Sequence, residues 1–238
     1  MIIIPCRLTS SRFPNKVLKD VLGLPMVIRT AQSVSNIDDV IIACDSKEIQ
    51  NIARKYKIDS ILTSQNHQNG TTRINEAANL LKLKDDDIII NVQADEPFIE
   101  KSIVKKLIDQ TNKNINKKDI MINSCYKKIS LKESLDPNFV KVILNTENHA
   151  IYFSRSQIPF NANNKSIEYY GHLGIYGFSK ISLNNFCNLK PCLLENIEKL
   201  EQLRAIEYGY KIAMIEVESK SFGIDTPNDL ENAIKIFS

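Results

Sequence analysis

Short apolar runs rich in β-branched residues punctuate the first half of the chain, and between them apolar residues recur at helical spacing. IIIP (2–5), DVIIAC (39–44), SILT (60–63) and DIIINVQ (87–93) each predict a buried strand. From Leu24 to Ser35 the apolar positions 24, 27, 28, 31 and 34 predict a helix. Asp45 with Glu48 three residues later predicts a capped helix through IQNIARKY. Ile74, Ala77, Ala78 and Leu81 mark a third helix, and SIVKKLIDQ a fourth. Strand and helix therefore alternate with short connections, the pattern of a mostly parallel sheet flanked by helices on both faces.

Beyond about residue 120 the pattern changes. MINSCY (121–126), FVKVIL (139–144), HAIYF (149–153) and HLGIYGF (172–178) read as strands with no helix between them, which predicts a smaller mixed-sheet extension. LLENIEKLEQLRAIEYG (193–209) carries apolar residues at helical spacing and predicts one long amphipathic helix, with Glu198, Glu201 and Gln202 on one side. KIAMIEV predicts a last strand. Asp225-Thr226-Pro227 then opens a final helix, with Asp225 as its cap and Asp229 in its first turn.

Composition narrows the class. The 238 residues, 43% of them hydrophobic, can bury a substantial core as one large domain or two small ones. With 31 Lys+Arg against 28 Asp+Glu the charge is too balanced for a nucleic-acid-binding face. No apolar run is long enough to span a bilayer, and Pro5 and Arg7 end the first one too soon for a secretory signal. Five scattered cysteines without a C-x-x-C pair read as reduced thiols of a cytosolic protein.

Ligands of a parallel sheet sit outside the carboxyl ends of its strands. The connections 6–16, 45–46, 64–73 and 93–98 all fall at that edge. The first holds Arg7, Arg12 and Lys16 among small polar residues: two guanidinium forks and a point charge suited to a phosphate chain, without a glycine-rich cradle. Asp95 follows the most apolar strand and Asp225 a late one; two carboxylates at that edge can hold Mg²⁺ against substrate phosphates. Turn and cap chemistry explains each Asp equally well taken singly. His67 shares its segment with Gly70 and Arg73, which suggests a binding loop. His172 lies among Gly171, Gly174 and Gly177, three of only 7 glycines, and glycine inside a strand marks a bulge or a close approach. Arg155 after YFS suits bidentate capture of a carboxylate.

Taken in order, PCRLTSSRFPNK, HQNGTTRI, NVQADEPFI, YFSRSQIPF, HLGIYGF, LEQLRAIEYG and GIDTPNDL resemble the 3-deoxy-manno-octulosonate (Kdo) cytidylyltransferases along essentially the whole chain. The resemblance implies a single domain with a GT-A-like nucleotide-diphospho-sugar transferase fold. Residues 1–120 would be its nucleotide part and about 121–225 its sugar and dimer part, with the last helix returning to the core. It also implies Mg²⁺, a homodimer, and transfer of CMP from CTP to Kdo with release of pyrophosphate, in the service of lipopolysaccharide. Arg7, Ser10, Arg12 and Lys16 would then handle the triphosphate. Asn69, Gly70, Thr71, Arg73 and Gln93 would line the cytidine site, Asp95 and Asp225 would hold the metal, and Arg155, His172, Tyr176, Glu201 and Gln202 would contact the sugar acid.

The family patterns P-A-R, P-G-K, S-G-T-E-R and Q-G-D-E-P stand here as Pro5-Cys6-Arg7, Pro14-Asn15-Lys16, Asn69-Gly70-Thr71-Thr72-Arg73 and Gln93-Ala94-Asp95. Asn15 can take the left-handed backbone that a glycine there would provide. Asn69 and Thr72 are the changes able to alter recognition, and they leave room for the 8-amino analogue of Kdo. Two further alternatives are a UTP- or dTTP-dependent nucleotidyltransferase and a non-catalytic nucleotide-binding homologue. The absence of glycine from residues 1 to 22 weighs against the former, and the presence of both Asp95 and Asp225 against the latter.

Overall fold

A computed structural model describes residues 1–10, 13–163 and 165–238. The β-branched runs are strands because a sheet covered on both faces rewards them. β1 (Ile2–Cys6) is buried throughout. A 3₁₀ turn (Lys16–Leu18) and a hairpin of β2 (Asp20–Val21) and β3 (Leu24–Pro25) lead to α1 (Met26–Val34). Then follow β4 (Val40–Cys44), α2 (Lys47–Lys55), β5 (Asp59–Leu62), α3 (Gly70–Leu80), β6 (Ile88–Asn91) and α4 (Lys101–Asn114). β7 (Ile120–Ile129), α5 (Leu131–Leu135), β8 (Lys141–Leu144), β9 (Ala150–Ser154) and β10 (Tyr169–Ser179) come next. The chain ends with α6 (Lys180–Asn188), α7 (Leu193–Glu198), α8 (Leu203–Glu207), β11 (Lys211–Glu216) and α9 (Pro227–Phe237).

Among the described residues the main sheet runs β11-β7-β10-β6-β1-β4-β5, with β8 beside β10 and β9 beside β8. β6, β1, β4 and β5 are parallel. β10 enters antiparallel to both β6 and β7. The first half is thus the predicted parallel sheet and the second the predicted mixed extension. From β1 the chain adds β4 and β5 on one side and later β6 on the other, so the strand order switches between β1 and β6. That is where a crevice opens at the carboxyl ends of a parallel sheet.

Two apolar layers cover the sheet. One gathers Ile2, Ile4, Val27, Ile28, Ile42, Ile103 and Leu107. The other gathers Ile3, Ile41, Ile74, Ile89, Phe153, Phe178 and Phe186. A Cβ on Gly177 would collide with Thr111 of α4, so that glycine lets the helix lie close on β10. Gly171 likewise leaves room for Ile129, whereas Gly174 faces open space and lies within the bulge between Leu173 and Tyr176.

Four local expectations are corrected. The strands beyond residue 120 are not free of helix: α5, opened by a Ser130–Glu133 capping box, intervenes between β7 and β8. The predicted helix over 193–209 is two short helices, because Lys199 adopts a left-handed backbone (φ 55°). The break points Glu198 and Glu201 at different partners: Glu198 accepts from the Ser154 hydroxyl and the Arg155 N–H, and Glu201 from Thr71. Asp45 does not cap α2; Ser46 does, accepting from the Glu48 N–H, while Asp45 accepts from the Leu8 N–H. Asp225 does not cap α9; Thr226 does, in a capping box with Asp229. The Asp225 side chain is thereby available to Lys16.

Candidate active site

The ends of β1 and β6 and the starts of the 3₁₀ turn and α3 enclose a cleft of about 240 Å³. Pro5, Arg7, Ser10, Lys16, His67, Asn69, Gly70, Arg73, Gln93, Asp95 and Asp225 line it. Local sequence explains the walls. Asn15 takes φ 52°, the left-handed backbone that allows the chain to turn into Lys16–Leu18. Asn69 caps α3, its Oδ1 accepting from the Thr72 N–H at 2.9 Å. A Cβ on Gly70 would stand 2.9 Å from Pro5 Cγ, so glycine there allows α3 to close onto β1. Ala94 is not among the residues with left-handed backbone, so the family's glycine is dispensable at that position.

Lys16 is the electrostatic centre. Its Nζ donates to Asp95 Oδ2 at 2.5 Å and to Asp225 Oδ1 at 2.9 Å. The lysine side chain is 11% exposed and those of Asp95 and Asp225 are 27% and 45% exposed. Desolvation pulls the ammonium down, but the two carboxylates outweigh it and hold the Lys16 pKa above its ordinary value. Lys16 is therefore a fixed cation. Asp225 arrives from 209 residues away, on a strap tied down where the Ile224 N–H donates to the Asp95 carbonyl at 2.9 Å.

The α3 side of the cleft is held by hydrogen bonds and ion pairs. Arg73 is buried, donating to Thr63 Oγ1 at 2.7 Å and the Ser64 carbonyl at 3.1 Å, with Asp45 3.5 Å away. His67 is held at both ring nitrogens, by the Thr72 hydroxyl at 3.1 Å and by the Glu76 carboxylate. Against its own desolvation, His67 and the Ser64 N–H keep the Glu76 carboxyl below its usual range. Cys6, on the cleft floor, has its thiol pushed well up by burial, with Cys44 nearby adding to the shift, which makes it a poor nucleophile.

Thr71, expected at the cytidine site, turns away from the cleft. It is buried and donates to Glu201. Through that bond the cleft adjoins a second, largely desolvated cluster. Glu201 Oε2 is buried without a hydrogen-bond partner among the described residues, and desolvation raises its pKa. Tyr176 Oη donates to Gln202 Oε1 at 3.3 Å. His172 Nε2 lies 2.9 Å from Ser124 Oγ, and its Nδ1 lies 3.4 Å from Gln202 Nε2. Desolvation holds the imidazole down at about 3, so His172 is neutral at physiological pH. Tyr176 pairs with Asn91 on β6, two residues before Gln93, so the cluster sits beside the cleft on the same sheet.

Arg155 does not join these four. Its Nε donates to the Glu198 carbonyl at 2.9 Å and its Nη1 to the Pro137 carbonyl at 3.0 Å. Arg12 lies outside the described residues. Sequence reasoning overlooked Asp45, Glu76, Thr72 and Ser124 as supports. Only Asp45 left a signal, its place at the carboxyl end of a strand.

A divalent cation suits the donor set. Two carboxylates, Asp95 and Asp225, converge on one positive centre, and Mg²⁺ takes one or two protein carboxylates with substrate oxygens filling its other positions. Among the described residues no cluster of three His, Cys, Asp or Glu could hold a metal by itself.

Comparison with known proteins shows the family. A family model described as cytidylyltransferase matches residues 1–212. The 3-deoxy-manno-octulosonate cytidylyltransferase of a Nitratiruptor species is 55% identical over 232 residues, covering 97% of each chain. The enzyme of the same name from Helicobacter pylori (strain HPAG1) is 49% identical, covering 100% of this chain and 98% of that one. A solved structure of CMP:2-keto-3-deoxy-manno-octonic acid synthetase complexed with CTP superposes with a TM-score of 0.90 at 34% identity, covering 99% of this chain and 96% of the other. A cytidylyltransferase from Leptospira borgpetersenii shares the fold alone, with a TM-score of 0.62 at 16% identity over 100% of this chain and 87% of that one. With its Lys16-centred cleft at the strand switch and relatives similar from end to end, this chain belongs to the cytidylyltransferase family, in the branch of the 3-deoxy-manno-octulosonate cytidylyltransferases.

Proposed function

We propose that this protein transfers CMP from CTP to the anomeric hydroxyl of Kdo, releasing pyrophosphate. The observation that carries the reading is Lys16 bridging Asp95 and Asp225 in the cleft at the β1–β6 switch. Arg7, Ser10 and Lys16 bind the triphosphate, a task the resemblance also assigns to Arg12. Asn69, Gly70, Arg73 and Gln93 shape the wall for the cytidine. His172, Tyr176, Glu201 and Gln202 bind and orient the sugar acid from the desolvated side. The anomeric oxygen attacks the α-phosphorus, and the bond to the β-phosphate bridging oxygen breaks. Such a transfer is served by positioning and charge neutralisation more than by covalent help. Lys16, kept protonated, offsets the charge that builds on the leaving pyrophosphate. Asp95 and Asp225 would hold Mg²⁺, which would supply neutralisation of the phosphates and acidification of the attacking hydroxyl.

The chain works as one domain, with residues 1–120 serving the nucleotide and 121–225 the sugar and the partner, and with α9 returning to the core. A homodimer is supported by exposed Leu131, Leu135, Ile151, Leu193 and Ile197 on α5, β9 and α7. Unpaired thiols at all five cysteines support a cytoplasmic setting for lipopolysaccharide synthesis. Among the described residues no helix is long and apolar enough to cross a membrane. The test is pyrophosphate release with Mg²⁺ and CTP, offering Kdo and 8-amino-Kdo in parallel. Release with Kdo supports the reading. Release with the amino sugar alone moves the substrate to the analogue, and no release with either overturns the transfer.

A further inference from the structure

Asp225 reaches the cleft on a strap, residues 217–226, that has no regular structure between β11 and α9. An irregular segment placed against a charged site needs something to hold it, because its own backbone hydrogen bonds are not made internally. The holding groups lie on the β6–α4 connection, the start of α4 and the end of β7. Both carboxylate oxygens of Glu100 are used: Oε2 accepts from Ser219 Oγ and Oε1 from the Lys220 N–H, each at 2.8 Å. Lys127 Nζ donates to the Ser219 and Ser221 carbonyls at 3.2 Å. Ser221 Oγ donates to Glu96 Oε2 at 2.7 Å. Glu100 stands at the N-cap of α4 yet makes no side-chain cap there. Its carboxylate forgoes the local role and serves a segment 119 residues away.

We propose that Glu100 is a positioning residue: by clamping Ser219 and Lys220 it fixes the strap so that Asp225 meets Asp95 and Lys16. Glu100 bonds to none of those three side chains, so it acts through the strap. The effect on metal affinity rests on the metal reading of Asp95 and Asp225; the effect on the strap does not.

Two measurements on Glu100→Ala and Ser219→Ala separate these. In hydrogen exchange without metal or nucleotide, amides of 219–226, that of Ile224 above all, exchange about 10-fold faster in Glu100→Ala, while α4 and β7 keep their protection. Ser219→Ala, which removes one donor and leaves the buried core alone, gives a smaller rise in the same segment. Unchanged exchange in both variants overturns the clamp. In Mn²⁺ titration of the CTP-bound protein followed by electron paramagnetic resonance, Glu100→Ala weakens binding about 10-fold, with CTP affinity in the absence of metal unchanged. Asp225→Asn is the control. If it weakens Mn²⁺ binding while Glu100→Ala binds as the parent does, the positioning role is overturned. If Asp225→Asn binds normally, the metal reading fails, and the clamp is judged by exchange alone.

Discussion

The two halves of the proposed site use opposite electrostatics. Around Lys16 the cleft keeps its charges, with carboxylates and an ammonium paired within 2.5–2.9 Å and open to water on one side. Around His172 charge is suppressed: burial keeps the imidazole neutral, raises Glu201 and drives the Tyr176 hydroxyl well up. A polyphosphate requires fixed cations that stay charged, because its own charge is high and grows on the leaving group. A polyhydroxylated sugar acid is discriminated by neutral hydrogen-bonding groups already stripped of water, where a missing partner is penalised most. One sheet hosts both because its parallel half presents open loops and its mixed half presents side chains packed under helices.

The comparison can be broken hardest at the charged half. Asp95→Asn removes a carboxylate from the Lys16 pair while keeping shape, and turnover should fall about 10³-fold with an unchanged circular dichroism spectrum. Near-normal pyrophosphate release would remove Asp95 from the chemistry.

At the neutral half the expected signature is in stability. The folded imidazole of His172 titrates at about 3, below the unfolded value of about 6.5. Between those values the unfolded chain binds a proton that the folded one refuses, so this contribution is complete above about pH 6.5 and is lost as pH falls toward about 3. In urea titrations, His172→Asn should flatten the decline in stability between about pH 7 and about pH 4.5. An equally steep decline would show that the slope comes from elsewhere. The smallest effect belongs to the family departure in the loop between the halves. Asn69→Ser preserves an N-cap oxygen for the Thr72 N–H, and stability should move by less than about 0.5 kcal/mol. A sugar-specificity change on that substitution would return Asn69 to the recognition surface.

Legibility followed sequence distance. Lys16, Gly70, Gln93 and Asp95 lie in the connections that follow strands with an apolar signal, and the rule placing ligands at strand carboxyl ends points to those connections from pattern alone. The supports, Asp45 apart, carry no such pattern. His67 depends on Glu76 and Thr72, and His172 on Ser124 48 residues away; nothing in an isolated Ser or Glu announces such a bond. The apolar spacing over 193–209 was real, yet one residue, Lys199, turned left-handed and divided the helix. Periodicity carries no term for the two carboxylates on either side of that break, which draw toward Ser154 and Thr71.

Hydrophobic period, strand-end chemistry and the order of motifs are properties of neighbouring residues. The α/β class, the edge that carries the site, and the cations and carboxylates found there could therefore be read from the chain alone. Contacts between distant segments are instead chosen by packing and desolvation once the chain has folded. Folding releases Asp225 from capping to meet Lys16, spends Arg155 on backbone carbonyls, and sets Glu100 to hold the strap on which Asp225 arrives.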